Sequence, residues 1–251
     1  MPISEKISWE IDGGPVGETA LGPVSFMHRA SAAENPAAPL GHHLQDSTHV
    51  SFGVITTGFT LGRLRAEGSI FNGREPDETR HDFDFAPLQS WSVRLSVSPT
   101  RNWSAQYSFG RLRKLDLSLE NAKRHTASIS YNRPLRRGNW ASSLIWGRNS
   151  FERHRTHPNS FLFESTVNFM SRNYAYTRLE LHSSELLRFR VGAYTFGGVR
   201  DLVHNDFGQI GLGADVTFYS KPAAIAVLYG ENPVSVHVFL RFRPGLKQHH
   251  H

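Results

Sequence analysis

The sequence predicts an all-β chain: a membrane-spanning, antiparallel up-and-down β-barrel of about 12 strands. Three observations predict it. Apolar and polar residues alternate with period two over many separate segments. Several segments reach the roughly 9–11 residues that a tilted strand needs to cross a bilayer. Their polar faces carry many charges, which a dry sandwich core would bury only at high cost.

The alternation is clearest over 89–98, where Trp91, Val93, Leu95 and Val97 share one face and Ser92, Arg94, Ser96 and Ser98 the other. After Pro99-Thr100-Arg101-Asn102, Trp103, Ala105, Tyr107 and Phe109 stand against Ser104, Gln106 and Ser108. The two runs read as a hairpin with one apolar and one polar face. The same pattern predicts strands at 124–132, 160–169, 207–219 and 234–243. Weaker alternation adds 4–11, 47–57, 59–71, 139–148, 173–182 and 187–199. The run 139–148 is the least regular, because Ile145 falls on its polar face.

The connections alternate as well. Short ones are expected near 57–59, 99–102, 133–138, 170–172 and 200–206. Longer ones are expected at 12–46, 72–88, 114–123, 149–159 and 220–233, with 183–186 a short link on the long side. Short periplasmic turns opposite long external loops are the pattern of outer-membrane barrels, and an even strand number puts both termini in the periplasm. Aromatic residues on the apolar faces gather toward strand ends. Trp103, Tyr131, Trp140, Phe169 and Phe242 fall toward one rim, and Trp9, Trp91, Trp146 and Phe161 toward the other, as interfacial girdles do.

Composition narrows the classes. The chain has 251 residues, 39% apolar and 12% aromatic, which suits one barrel domain over 1–245 followed by a tail at 246–251. No apolar run approaches the roughly 18 residues of a spanning helix. The absence of Cys excludes disulfides, thiolate metal sites and a thiol nucleophile. The formal charge of +6 does not point to nucleic acid, because the basic residues recur at every second strand position and so face a common interior. Met1-Pro2 opens no signal peptide, and Gln248-His249-His250-His251 reads as a purification-tag remnant. The chain reads as a processed form, natural or engineered, of an exported protein.

The predicted interior is lined by Arg63, Arg65, Glu67, Arg94, Glu164, Arg178, Glu180, Arg188, Arg190, Asp215, His237, Arg241 and Arg243. These charges either rigidify the barrel as ion pairs or line a pore with a slight anion preference. The loop 12–46 holds His28, His42 and His43, followed by Asp46 and His49, all ligand types for zinc, copper or nickel. Their spacing matches no compact metal motif, so a folded loop that plugs the interior is the better reading. In 72–88, Glu75, Asp77, Glu78, Asp82 and Asp84 lie among Arg74, Arg80 and His81, but lack the order of a calcium loop. Ser142 and Ser165 fall on lipid faces and His125 at a rim, as a barrel hydrolase would need. No Gly-x-Ser-x-Gly elbow accompanies them.

Several runs carry a resemblance. They include ALGPVSFMHRASAAENPAAPLGHHLQDSTHVSFGV at 20–54, GSIFNGREPDE at 68–78, NWASSLIWGRN at 139–149, FRVGAYTFGGVRDLV at 189–203 and YGENPVSVHVFLRFRPG at 229–245. With these runs the chain resembles a largely uncharacterised family of predicted bacterial outer-membrane proteins. The resemblance implies a barrel fold and an outer-membrane location. It implies no activity. Family members are longer at the N-terminus and carry a His-Pro-His-Asp run that this chain lacks. The sequence therefore predicts a non-enzymatic, monomeric barrel in lipid or detergent. No cofactor, bound metal or nucleic acid is expected, and small ions or solutes pass through it.

Overall fold

A computed structural model describes residues 2–4, 6–46, 50–74, 87–115, 120–153, 155–183 and 189–245. The strands are β1 (Pro2–Ser4), β2 (Ile7–Gly17), β3 (Ser51–Leu61), β4 (Leu64–Phe71), β5 (Ser90–Val97), β6 (Trp103–Leu115) and β7 (Glu120–Leu135). They continue with β8 (Gly138–Phe151), β9 (Asn159–Phe169), β10 (Asn173–Ser183), β11 (Arg190–Asn205), β12 (Gly208–Ser220) and β13 (Val234–Pro244). Each pairs antiparallel with the next in chain order, which is the up-and-down topology the alternation predicts. β2 to β13 are the 12 long strands; β1 is a three-residue piece on the side of β2 away from β3.

The predicted faces separate as expected. Val93, Leu95, Ile129 and Leu144 are outward and exposed, whereas Ser92, Ser128 and Ser143 on the opposite faces are buried. Exposed apolar residues on one face and buried polar ones on the other reverse the arrangement of a water-soluble sheet. Among the described residues no helix is long and apolar enough to cross a membrane.

Several boundaries differ from the sequence expectation. The turn expected at 57–59 lies at Gly62–Arg63, where Gly62 takes φ +58° and so favours glycine. The first long strand is 7–17, not 4–11, because Asp12-Gly13-Gly14-Pro15 continues the ladder with β3 instead of breaking it. Gly14 pairs with Val54 and Val16 with Phe52 in the same register, and Gly53, opposite Pro15, takes φ +72°, a conformation that favours glycine. Trp9 therefore pairs with Phe59 near the short-turn rim and joins Trp103, Tyr131 and Trp140 there, not the girdle at the other rim. The connections expected at 114–123 and 200–206 shrink because β6, β7 and β11 run on. The acidic run from Glu75 to Asp84 with Arg80 and His81, together with His49, Arg188, the link after Ser183 and the tail from 246, lies outside the described residues.

The described part of the long connection after β2, residues 18–46, is folded inward. It includes the short helix α1 (His42–Gln45). Its Leu21 packs with Val54, Phe71, Leu112, Ala122 and Phe151 from the upper inner faces of β3, β4 and β6–β8. The inner wall at that end is apolar where the sequence suggested a polar one. Burying Leu21 there stabilises the inserted segment by about 1.5–3 kcal/mol. α1 lies close to β8: a Cβ at Gly147 would come within 2.2 Å of the Leu44 carbonyl oxygen, so only glycine permits this approach. Ile145, the irregular residue of its strand, is buried on the same inner face.

Candidate functional site: the occupied interior

The inserted segment is bound on nearly every side, which requires the sheet to wrap around it. Ala20 N donates to Ser69 Oγ of β4 at 2.7 Å, and Gly22 N to Ser108 Oγ of β6 at 2.9 Å. Arg94 of β5 donates to the Gly22 carbonyl at 3.1 Å. Thr166 of β9 donates to the Ser31 carbonyl at 2.7 Å, and Leu40 N donates to Glu180 Oε2 of β10 at 2.6 Å. Arg124 of β7 and Arg178 of β10 donate to the carbonyls of His43 and Ala37. Arg241 and Arg243 of β13 reach Glu34.

The central contact is a buried charge cluster. Arg29 Nε lies 2.6 Å from Glu164 Oε1 of β9, and Arg29 Nη1 lies 2.9 Å from Asp46 Oδ2. Asp46 also meets His42 Nδ1 at 2.6 Å, and Arg178 Nε lies 3.4 Å from Glu164 Oε2. Burial alone would raise the Asp46 carboxyl. The hydrogen bond from His42 and the charge of Arg29 outweigh burial and hold it below the usual carboxylate range. Burial likewise opposes the charge on Arg29, but Glu164 and Asp46 more than restore it.

Three further clusters complete the wall. Glu67 is gripped by Arg94 through Nε at 2.8 Å and Nη2 at 3.1 Å, and Arg65 Nε adds 3.0 Å. Arg65 also pairs with Glu10. Across the interior, Arg241 bridges Glu34 and Asp201 and stacks 4.4 Å above the Tyr174 ring. Asp215 accepts from Tyr176 at 2.8 Å and meets His237 at 2.9 Å. Beside the inserted segment a cavity of about 330 Å³ remains, lined by Asp12, Thr56, Arg65, Glu67 and Arg94 with residues 16–20.

The structure thus brings together Arg65, Glu67 and Arg94; Glu164, Arg178 and Glu180; Asp215 and His237; and Arg241 and Arg243. Arg63 does not join them. It sits in the Gly62–Arg63 turn and donates to the Pro99 carbonyl of the neighbouring turn, so it is a rim residue. Arg190 is exposed at the long-loop end of β11. Sequence reasoning missed Arg29, Glu34, Arg124 and Asp201. Arg124 alone carried a strand-phase signal: it is two residues before Thr126, on the inward face.

The other candidates are placed apart. Among the described residues no three His, Asp or Glu side chains converge as a metal site would need. His28 lies 3.7 Å from Glu18, away from the His42–Asp46 pair. Ser142 and Ser165 hydrogen-bond to each other at 2.8 Å on the outer face, and Trp140 Nε1 donates to Ser165 at 3.1 Å. His125 instead meets Tyr107 Oη at 2.7 Å, so the three residues do not assemble into a nucleophile and base.

No family model matches the chain, and no curated protein matches it in sequence. A solved structure of similar fold is the anion-selective porin from Comamonas acidovorans, at a TM-score of 0.58 and 12% identity, over 93% of this chain and 73% of that one. The chain has a porin-like β-barrel fold. At this identity the likeness concerns fold alone, and the family suggested by the sequence runs gains no support from it. In this porin-like barrel the interior is occupied by the connection between the first two long strands, β2 and β3.

Proposed function

We propose that the protein is a bacterial outer-membrane barrel whose narrowed interior passes small ions or solutes. The observation that carries this reading is the cavity of about 330 Å³ left beside the inserted segment along β2–β5, where Asp12, Glu18, Arg65, Glu67 and Arg94 stand among small and apolar residues. The exposed apolar outer face, with its aromatic rims, supports lipid as the surrounding medium. The reading is of a monomeric, non-catalytic protein.

Charge selectivity in this reading is slight. Arginines on the inner wall are matched by carboxylates: Arg94 by Glu67, Arg178 by Glu164, and Arg241 by Glu34 and Asp201. What remains is the field of a chain with formal charge +6, screened by salt beyond roughly 8–10 Å. It favours anions weakly.

Planar-bilayer recording tests the proposal. Small discrete current steps with a reversal potential shifted modestly toward the anion value are expected. Demonstrably inserted protein that stays silent would refute the pore and leave a structural or binding barrel.

A further inference from the structure

We propose that the short-turn rim between β6 and β11 is a binding surface for anionic phospholipid headgroups. This inference rests on the membrane-embedded reading above. The turns and strand ends at 98–103, 131–140 and 168–174 contain Arg101, Arg133, Arg136, Arg137 and Arg172, and no Asp or Glu. All five are exposed, and none is in an ion pair among the described residues. The opposite rim is built differently. There Arg111 lies 3.3 Å from Glu152, and Glu120 accepts from the Arg153 backbone.

Position relative to the apolar band decides the kind of partner. The turns that carry the arginines join strand ends that bear outward aromatic rings. Trp103 and Tyr131 meet at a tilt with centroids 4.7 Å apart, and Tyr131 meets Trp140 edge-on at 5.2 Å. Arg133 stands directly opposite Trp140 in the β7–β8 ladder, on the same outer face. The next turn presents Met170 at its tip, 72% exposed, beside Arg172. Tryptophan and tyrosine settle at the headgroup level of a bilayer, and an exposed Met there reaches acyl chains. Guanidinium groups just beyond that belt are at the depth of phosphates, which they bind through paired N–H donors. An acidic protein partner would use the charge, but it would leave the contiguous aromatic and Met surface without a role.

Each basic residue near an anionic surface strengthens attraction by roughly fivefold, and salt screens it. Averaged over all lipid positions around the barrel, a preference of about two- to fivefold is expected. The test uses the full chain reconstituted in phosphatidylcholine vesicles with trace spin-labelled phosphatidylglycerol or spin-labelled phosphatidylcholine. Electron spin resonance reads the fraction of each probe immobilised at the protein surface. Wild type should favour phosphatidylglycerol, less so in high salt. The triple variant Arg136→Gln, Arg137→Gln, Arg172→Gln should lose most of the preference, and Lys123→Gln with Arg148→Gln at the other rim should keep it. Equal immobilisation of the two probes by wild type, or an unchanged preference in the triple variant, would overturn the proposal. Immobilisation of neither probe would instead overturn the membrane reading beneath it. If the triple variant does not refold, the single variants Arg136→Gln, Arg137→Gln and Arg172→Gln at these exposed turn positions make the same comparison, each expected to lower the preference.

Discussion

Arg29 and Glu164 meet at 2.6 Å although 135 residues separate them, and this contact ties the inserted segment to the barrel wall. Both side chains are almost fully buried, and Arg29 simultaneously holds Asp46 of its own segment. Buried ion pairs add little over apolar replacements. Removing one partner is costly because the other charge is stranded.

Arg29→Met should therefore cost about 3–5 kcal/mol at this site. Local release of the segment is expected, since the strand ladders do not depend on it. Limited proteolysis should cut within 19–46 in the variant and not in wild type, while heat-modifiable gel migration is retained. The double variant Arg29→Met, Glu164→Gln should recover part of the protection. Equal protection of wild type and Arg29→Met would contradict the latch.

The outer and inner faces should respond differently to charge. Val93→Arg and Val238→Arg place a guanidinium on the lipid face and should each cost roughly 2–4 kcal/mol of folding stability in lipid. Thr56→Arg points into the cavity of about 330 Å³ and should cost less. Equilibrium unfolding in urea with phospholipid vesicles measures the difference. Similar losses at the three positions would remove the lipid-facing assignment.

The latch should weaken in acid. The Asp46 carboxyl is held below its ordinary value of 3.8, where burial is opposed by His42 and Arg29, with Glu164 facing the same guanidinium. A depressed folded value means that the stabilisation is complete above about 3.8 and is lost as pH falls through the folded value. Protease sensitivity of 19–46, measured after brief acid exposure with an acid-active protease, should rise below that range in wild type. Asp46→Asn should be sensitive already at neutral pH.

The fold was legible because alternation survives in every hairpin, and a strand such as 89–98 needs no tertiary information to declare its two faces. Where the reading failed, local chemistry misled it. Asp12-Gly13-Gly14-Pro15 has the composition of a turn, yet β2 keeps one unbroken register with β3 through it, with Gly53 at φ +72° opposite Pro15. The site was half legible. Arg94, Glu164 and Arg178 follow from strand phase, but their partners Gly22, Arg29 and Ala37 lie in a segment without periodicity. Only tertiary packing reveals which irregular segment fills the interior.

Metal should not organise that segment. His42 Nδ1 is engaged by Asp46 at 2.6 Å, and His28 lies near Glu18 instead of beside it. Calorimetric titration of tag-free protein with zinc or copper should show no submicromolar site. Tight binding abolished by His42→Ala would mean that the segment rearranges around an ion.

Removal of the inserted segment should widen the path. Gly17 and Ser51 are paired at the ends of β2 and β3, so residues 19–49 can be replaced by a short Gly-Ser link without pulling the two strands apart. The inner wall then loses Leu21, Arg29 and Glu34 together, and Glu164, Arg241 and Arg243 become water-exposed. Single-channel conductance should rise severalfold over wild type. Loss of Glu34 and Asp46 with only Arg29 removed from the other side shifts the interior toward positive charge. The reversal potential should therefore move further toward anions. Arg94→Glu on the shortened background should move it back, because Arg94 lines the cavity that persists along β4 and β5. Conductance equal to wild type would mean that ions do not pass beside the segment at all, and the path along β2–β5 would have to be abandoned.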